Sequence, residues 1–151
     1  MQIDENFGHW FAGFVDGEGC FVIDRVNKKH PTYRCIFSIT VRADDRPILE
    51  EICGHFQIGN IYSITIHGHR ARGAMLRVAR KEYICRLITI FDRFPLRAKK
   101  RNDYAIWHTA AILWTNRVGY RASGAYNAPH PVQARLAELS AELNAQRRYS
   151  G

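Results

Sequence analysis

The sequence has no cysteine pair at the spacing of a metal-binding motif. Each of its four cysteines lies within an apolar run and none forms a C-x-x-C pair: Cys20, Cys35, Cys53 and Cys85. We interpret them as small buried hydrophobic residues rather than as ligands of zinc or partners in disulfides. His67 and His69 are the one close histidine pair, and their polar surroundings are typical of a loop tip.

The sequence also has no apolar run near the roughly 20 residues that a membrane span requires. Its N-terminal residues, MQIDENFGH, lack the apolar centre of a signal peptide. We therefore expect a protein of the cytoplasm, the nucleoid or an organelle matrix, neither secreted nor bound to a membrane. Apolar residues form 46% of the 151 residues, which excludes disorder as the main state and allows one domain with a core.

Acidic residues are scarce in the second half of the chain. Residues 1–75 hold 8 Lys and Arg against 9 Asp and Glu, whereas residues 76–151 hold 14 against 5. The net charge of +8 is therefore uneven. This asymmetry favours an anionic polymer as the partner, because basic side chains that neutralise phosphates release counterions. A basic surface that is merely solvated is the alternative.

Hydrophobic periodicity predicts the order helix, hairpin, helix, hairpin, helix. Asp4 or Asn6 can cap the first helix, which runs to about Gly17, and Pro47 is tolerable only in the first turn of the second. The predicted elements after the first helix are strands at 20–26 and 33–41, a helix after Asp45, strands at 61–67 and 74–79, and a helix at 80–94. This order predicts an α+β fold in which helices cover one face of an antiparallel sheet.

Beyond Trp114 the composition changes. Residues 119–131 are rich in Gly and Pro and predict a loop, and residues 132–148 predict an amphipathic helix. Its apolar stripe consists of Val132, Leu136, Leu139 and Leu143. We expect this helix to pack against the core, and a role in dimerisation or in flanking DNA contacts is the alternative. The sequence contains no internal repeat.

The segment Phe11–Gly19, FAGFVDGEG, combines an apolar helix with an acidic end. Ala12 and Gly13 leave part of the helix surface nearly bare, and the glycines beside Glu18 permit a tight turn with positive φ. Carboxylates are unfavourable at a helix C-terminus, where the macrodipole is already negative, so a divalent cation would stabilise them. In isolation, the same letters also fit a turn with solvated acids.

The whole pattern resembles the LAGLIDADG motif of homing endonucleases of the single-motif, homodimeric type. Residues 10–21 match the form W-x-A-G-F-x-D-G-E-G-x-F, and G-N-I-Y at 59–62 and P-L-R-A-K-K at 95–100 are further marks. The predicted element order matches the αββαββα core of that family, with a four-stranded antiparallel DNA-binding sheet. The resemblance covers about residues 7–115. We therefore expect one domain over residues 1–151, with a C-terminal loop and helix from about 116.

The resemblance implies a site-specific endonuclease that cuts both strands of a long pseudo-palindromic DNA, leaving short 3′ overhangs. Such proteins are encoded by mobile introns or inteins. It implies Glu18 as the catalytic metal ligand, the Gly17 carbonyl as a further ligand, and Lys99 beside the attacking water. The metal would be Mg²⁺, with Mn²⁺ or Ca²⁺ as substitutes for binding; Mg²⁺ typically takes only one or two carboxylates.

A single motif implies a homodimer, because the family builds its centre from two such helices side by side. Ala12 and Gly13 permit this close approach, and isologous contact brings two Glu18 residues together. The expected interface residues are Phe11, Ala12, Gly13, Val15 and Asp16.

DNA recognition is expected on the open face of the sheet. A strand of about 8 residues spans roughly 26 Å, or some 8 base pairs of major groove. Arg34 and Arg77 are candidate guanine readers, Asp24 could accept from cytosine, and Val26 could touch a thymine methyl group. The remaining outward positions are Lys28, Ser38, Thr40, Ser63, Thr65, His67 and Met75, and the expected phosphate contacts are Lys29, Arg70, Arg72 and the run 97–101. For each residue, ordinary solvent exposure is the alternative.

One departure from the family pattern lies at Val41, where relatives often carry Gln to position water. Either Arg42 or Asp44 substitutes for it, or the water network is poorer. This leaves room for an intron maturase, or a DNA- or RNA-binding protein, on the same fold without cleavage. A basic protein unrelated to nucleic acids would require the motif match to be chance.

Overall fold

The computed structural model describes residues 2–27, 29, 32–66, 71–116 and 131–148. The helices are α1 (Glu5–Glu18), α2 (Arg46–Phe56), α3 (Lys81–Arg93), α4 (Lys100–Thr115) and α5 (Pro131–Arg148). The strands are β1 (Gly19–Arg25), β2 (Tyr33–Arg42), β3 (Asn60–Ile66) and β4 (Ala71–Val78). The predicted α+β class and element order are confirmed. None of the helices in these ranges combines the length and the apolar character needed to cross a membrane.

The four strands form one sheet in the order β1-β2-β4-β3, with antiparallel pairing of β4 to both β2 and β3. β4 begins three residues earlier than predicted, because its pairing continues through Gly73 to Ala71 opposite Ile66. A side chain at Gly73 would come within 2.8 Å of Ile66 Cγ1, so the Ile66 side chain occupies the space above this glycine. Gly73 therefore lies within the ladder and not in a turn.

The chain divides into two compact units, and the first comprises residues 1–20 and 37–101. Its helix α1 begins at Glu5 because the Asp4 carboxylate accepts the Phe7 N–H at 2.7 Å, as the capping pattern predicts. Phe11 on the buried side of α1 packs against Phe56 and Phe91, with ring centroids 4.9 and 5.7 Å apart. These contacts attach α1 to α2 and α3 in the core.

The second unit comprises residues 21–36 and 102–151. Trp107 is fully buried, and its indole N–H is shared between the carbonyls of Val22 and Ile36 at 3.2 and 3.1 Å. In α5, Leu136, Leu139 and Leu143 are buried as predicted. The fourth buried position is Gln133 and not Val132, because the Gln133 Oε1 accepts the Tyr33 N–H at 2.8 Å. Helix α5 therefore packs on its own unit, and the prediction of one domain over the whole chain stays a prediction.

Candidate functional site

The acidic end of α1 leads directly into β1. Gly19 caps the helix by donating its N–H to the Val15 carbonyl oxygen. Its φ of −72° is that of ordinary extended backbone. The predicted left-handed turn is therefore wrong for this glycine. A side chain at Gly19 would lie 2.8 Å from the Val15 carbonyl oxygen and 3.2 Å from the Phe37 ring. Glycine is required here because two pieces of backbone approach closely, and this approach leaves Gly17 and Glu18 exposed at the helix end.

The Asp16 carboxylate accepts two backbone hydrogen bonds from the segment before α4. Its Oδ2 accepts the Arg97 N–H at 2.9 Å, and its Oδ1 accepts the Ala98 N–H at 3.1 Å. These two donors offset the unfavourable negative potential of the helix C-terminus, without any added cation. Because both carboxylate oxygens are engaged within the chain, Asp16 is a poorer metal ligand than Glu18.

Glu18 and Lys99 are exposed, and neither side chain forms a hydrogen bond or ion pair with any residue that the structure describes. Lys99 directly follows Ala98, whose N–H bonds Asp16, and Glu18 lies two residues after Asp16. The bonds of Asp16 therefore bring the segment that carries Lys99 to the acidic end of α1. Sequence reasoning proposed both residues but had no contact that would join them.

The oxygens at the end of α1 fit a hard divalent cation. The last carbonyl groups of a helix have no intrahelical partner, and Glu18 adds a carboxylate that no described residue pairs with. No cluster of three or more His, Cys, Asp or Glu side chains suited to a metal occurs in the described ranges. The described residues of one chain therefore do not assemble a complete set of protein ligands for a metal ion.

The exposed face of α1 consists of Trp10, Gly13, Phe14 and Gly17. Trp10 is 40% exposed and its ring stacks on Phe14, with centroids 5.2 Å apart. Side chains added at Gly13 or Gly17 would meet no described residue within 4 Å, so the helix backbone is bare on this side. These residues have the i, i+3, i+4, i+7 spacing of a single helix face.

The predicted α1 interface needs correction at three positions. Phe11, Ala12 and Val15 have exposed fractions of 0%, 4% and 0%, because they pack into the chain's own core. These three side chains therefore offer almost no surface to a second chain. Of the predicted interface residues, Gly13 is exposed and Asp16 is half-buried.

In the first unit, one face of the sheet is covered by helices and the other is open. Directly paired residues share a face, and β2 pairs Ser38 with Arg77 and Thr40 with Met75. Their side chains are half-buried, whereas the alternate residues Ile39, Leu76 and Val78 are fully buried. We call the side of Ser38, Thr40, Met75 and Arg77 the open face, and for these four residues the predicted face is confirmed.

The predicted outward position of Ser63 and Thr65 is wrong. Ser63 pairs with Ala74, which is 1% exposed on the helix side, and its hydroxyl accepts a hydrogen bond from Arg46 of α2 at 3.3 Å. Thr65 pairs with Arg72, so these two residues lie on the same side as Ser63. The error arose because Tyr62, Ile64 and Ile66 alternate with Ser63 and Thr65, and in β3 the more apolar set lies on the open face.

The register places other β3 residues on the open face. Asn60 pairs with Arg77, Tyr62 with Met75, and Ile64 with Gly73. Sequence reasoning missed these three residues. The alternation of β4, in which Leu76 and Val78 face inward, predicts the face of its own residues. It identifies these three residues only if the register of β3 on β4 is known.

In the second unit, Asp24 and Arg34 form an ion pair. The Arg34 Nε and Nη2 both donate to Asp24 Oδ2, at 3.0 and 2.9 Å, and each side chain is about one third exposed. This pairing engages one edge of the guanidinium and leaves its Nη1 edge for another acceptor. Val26 is 52% exposed and Lys29 is also exposed. The predicted contacts Lys28, His67 and Arg70 lie outside the described residues.

Val41 pairs with Ala74, and it is half-buried on the helix side of the sheet. The two residues considered as substitutes for the family's Gln, Arg42 and Asp44, form an exposed ion pair at 3.2 Å. Their charges therefore face each other. Neither one is held by the core in a fixed position.

Comparisons with known proteins identify relatives of this chain. A family model described as LAGLIDADG endonuclease matches residues 11–111. A protein of Schizosaccharomyces pombe named probable intron-encoded endonuclease Cox1-I1b is 31% identical over 110 residues, which cover 72% of this chain and 28% of that protein. The curated relatives are longer, and the chain spans about a quarter of their length.

Solved structures have the same fold. The LAGLIDADG meganuclease I-AabMI, bound to uncleaved DNA, is 31% identical with a TM-score of 0.64, over 72% of this chain and 37% of that one. I-SmaMI, bound to an uncleaved DNA target in the presence of calcium ions, has a TM-score of 0.72 at 23% identity. That match covers 91% of this chain and 45% of the other, and at this identity it shows the fold alone.

Proposed function

The chain belongs to the LAGLIDADG endonuclease family, and from this membership we propose that it cuts DNA. The proposed activity is metal-dependent hydrolysis of both strands of a long, pseudo-palindromic duplex by a homodimer. Relatives named as intron-encoded endonucleases, and a related meganuclease bound to DNA, support this proposal. A mobile intron or intein is the proposed genetic context, and the cytoplasm or an organelle matrix is the proposed compartment.

The observation that carries the proposal is the arrangement at the end of α1. The exposed Glu18 carboxylate has no partner among the described residues, and Asp16 binds the segment that leads to Lys99. In the proposed site, Glu18 and the Gly17 carbonyl hold a divalent ion, preferably Mg²⁺. When bound, such an ion would neutralise the scissile phosphate and acidify a bound water. Lys99 would orient water and stabilise negative charge on the phosphate.

Dimerisation is proposed through the exposed face of α1. Isologous pairing would pack Trp10 and Phe14 of one protomer against the bare backbone at Gly13 and Gly17 of its partner. Pairing along this face would bring the two Glu18 residues together, since each lies directly after Gly17. This geometry would supply the Glu18 carboxylates of both protomers to one centre.

DNA binding is proposed for the open face of the first unit and for basic groups elsewhere on the chain. Arg77 forms no ion pair within the described ranges, and it is half-exposed on the open face. The proposed phosphate contacts are Lys29, Arg70, Arg72 and the run 97–101, and Lys28 stays among the proposed outward positions for base recognition. Arg34, held by Asp24, is proposed as a guanine reader through its remaining edge. For Val26, a thymine methyl contact is proposed.

Val41 favours a second candidate function, a nucleic-acid-binding protein that does not cut. An apolar side chain at this position cannot hydrogen-bond water, and Arg42 and Asp44 bond each other. The same fold would then act as an intron maturase or as a sequence-specific binder. Both candidates predict tight binding, so cleavage separates them.

The test is cleavage of a randomised duplex library in Mg²⁺, with Glu18→Gln as the inactive variant and Ca²⁺ as the binding control. We expect discrete double-strand cuts at one near-palindromic sequence, and their loss in Glu18→Gln with retention of binding. Glu5→Gln, on the same helix and far from its acidic end, is the matched control and should cut normally. Salt-sensitive binding without any cut would refute the nuclease and support the second candidate.

A further inference from the structure

The open face carries an apolar block beside a polar row. The apolar block consists of Tyr62, Ile64, Ile66 and Met75. Tyr62 pairs directly with Met75, and the Ile66 side chain covers Gly73, which pairs with Ile64. Tyr62 is 47% exposed and the other three are half-buried, so the block presents apolar surface to solvent.

The polar row consists of Ser38, Arg77 and Asn60, which pair side by side across β2, β4 and β3. None of these three side chains hydrogen-bonds to another residue in the described part of the chain. Their donors and acceptors are therefore available to a ligand. The row lies two residues along the strands from Tyr62 and Met75, a distance of roughly 7 Å, or about two base pairs of duplex.

These two surfaces match different features of the DNA major groove. Arg is suited to the O6 and N7 atoms of guanine, and Asn to the N6 and N7 atoms of adenine. The one apolar group in the major groove is the C5-methyl group of thymine. Arg77 stands beside the block without an acidic partner in the described ranges, and the chain's net charge is +8. A basic side chain without an acidic partner, on a chain of positive net charge, is attracted to the phosphates of a nucleic acid.

We propose that the open face reads each half-site in two parts. The polar row selects purines, and the apolar block selects thymines through their methyl groups, starting about two base pairs away. This inference rests on the proposed DNA-binding function and adds the base composition of the target. It assigns specificity to Tyr62 and Ile64, which alternation alone placed on the wrong side of the sheet.

The experiment removes the methyl groups from the DNA. A duplex is selected from a randomised library with the wild-type protein in Ca²⁺, and its thymines are replaced one at a time by deoxyuridine. We expect each contacted methyl group to contribute about fourfold in affinity. In Tyr62→Ala and in Met75→Ala, made separately, the uracil and thymine duplexes should bind equally at the position that each residue contacts. Ser63→Ala, on the helix side of the same strand, should keep the wild-type sensitivity.

Several results would overturn the inference. A selected half-site without thymines beside the purines read by the polar row would do so. Equal binding of uracil and thymine duplexes by the wild-type protein would also overturn it. So would a loss of affinity on uracil substitution that is as large in both variants as in the wild type. Both results would leave the nuclease proposal intact. If no duplex is selected, or if structured RNA is preferred, the proposed function fails and this inference fails with it.

Discussion

Asp16 offers the sharpest test of how the acidic end of α1 is built. Its two oxygens accept the Arg97 and Ala98 N–H groups at 2.9 and 3.1 Å. In Asp16→Asn, the one remaining oxygen can still accept one of these bonds, but the side-chain NH2 group then faces the second N–H donor. The substitution also removes the negative charge. Hydrogen bonds to charged groups contribute about 1.5–3 kcal/mol each. Because Asp16 is half-buried and water replaces part of the loss, we expect the free energy of unfolding to fall by about 2 kcal/mol.

The same substitution should slow cleavage without abolishing DNA binding. Asp16 touches neither Lys99 nor the DNA in this proposal, and it acts by holding the segment before Lys99. Misplacing a catalytic group by about 1 Å can cost on the order of a hundredfold in rate. We therefore expect the cleavage rate of a selected duplex to fall between about tenfold and a hundredfold, with its binding in Ca²⁺ nearly unchanged.

Urea unfolding and single-turnover cleavage measure the two effects. Glu5→Gln is the matched control, because Glu5 pairs with Arg93 at 3.2 Å on the exposed side of α1 and should contribute at most about 1 kcal/mol. If Asp16→Asn is no less stable than this control, the two backbone bonds do not hold the segment. If it is destabilised but cuts at the wild-type rate, the position of Lys99 does not depend on Asp16.

Three further substitutions test the packing. Gly13→Ala should stabilise the monomer by up to about 1 kcal/mol, because nothing lies within 4 Å and Ala favours helix, yet weaken the dimer in sedimentation experiments. Gly8→Ala in the same helix should instead destabilise by about 1–3 kcal/mol in urea unfolding, because its Cβ would lie 2.4 Å from the Phe94 ring. Burial raises the pKa of Cys35 from 9.0 to about 12, so the unfolded state loses this proton first and stability falls as pH rises through that window. When the pH is raised from about 8 to 10, the free energy of unfolding of Cys35→Ala, measured in urea, should fall by about 1.4 kcal/mol less than that of the wild type. Equal falls in the two proteins would contradict the burial of Cys35.

Local patterns predicted the elements well, because they depend on neighbours in sequence. Each of three local patterns predicts the element that contains it: the N-cap Asp4, the Pro in the first turn of α2, and the alternation of β2 and β4. The acidic motif also named Glu18 and the packing helix before it. The prediction failed in β3, where the more apolar face is the open one, and in α1, where the motif did not say which side of the helix is buried.

The sequence by itself determined the fold class, the family and the identity of the acidic residues, since periodicity and motif spacing are properties of the linear chain. Only the tertiary structure decided which side chains share a surface. The register of β3 on β4 turned Ser63 and Thr65 toward the helices, and set Tyr62 beside Met75 on the open face. Contacts over 81 and 82 residues joined Asp16 to the segment before Lys99. Such pairings depend on the packing of distant segments, which no local pattern encodes.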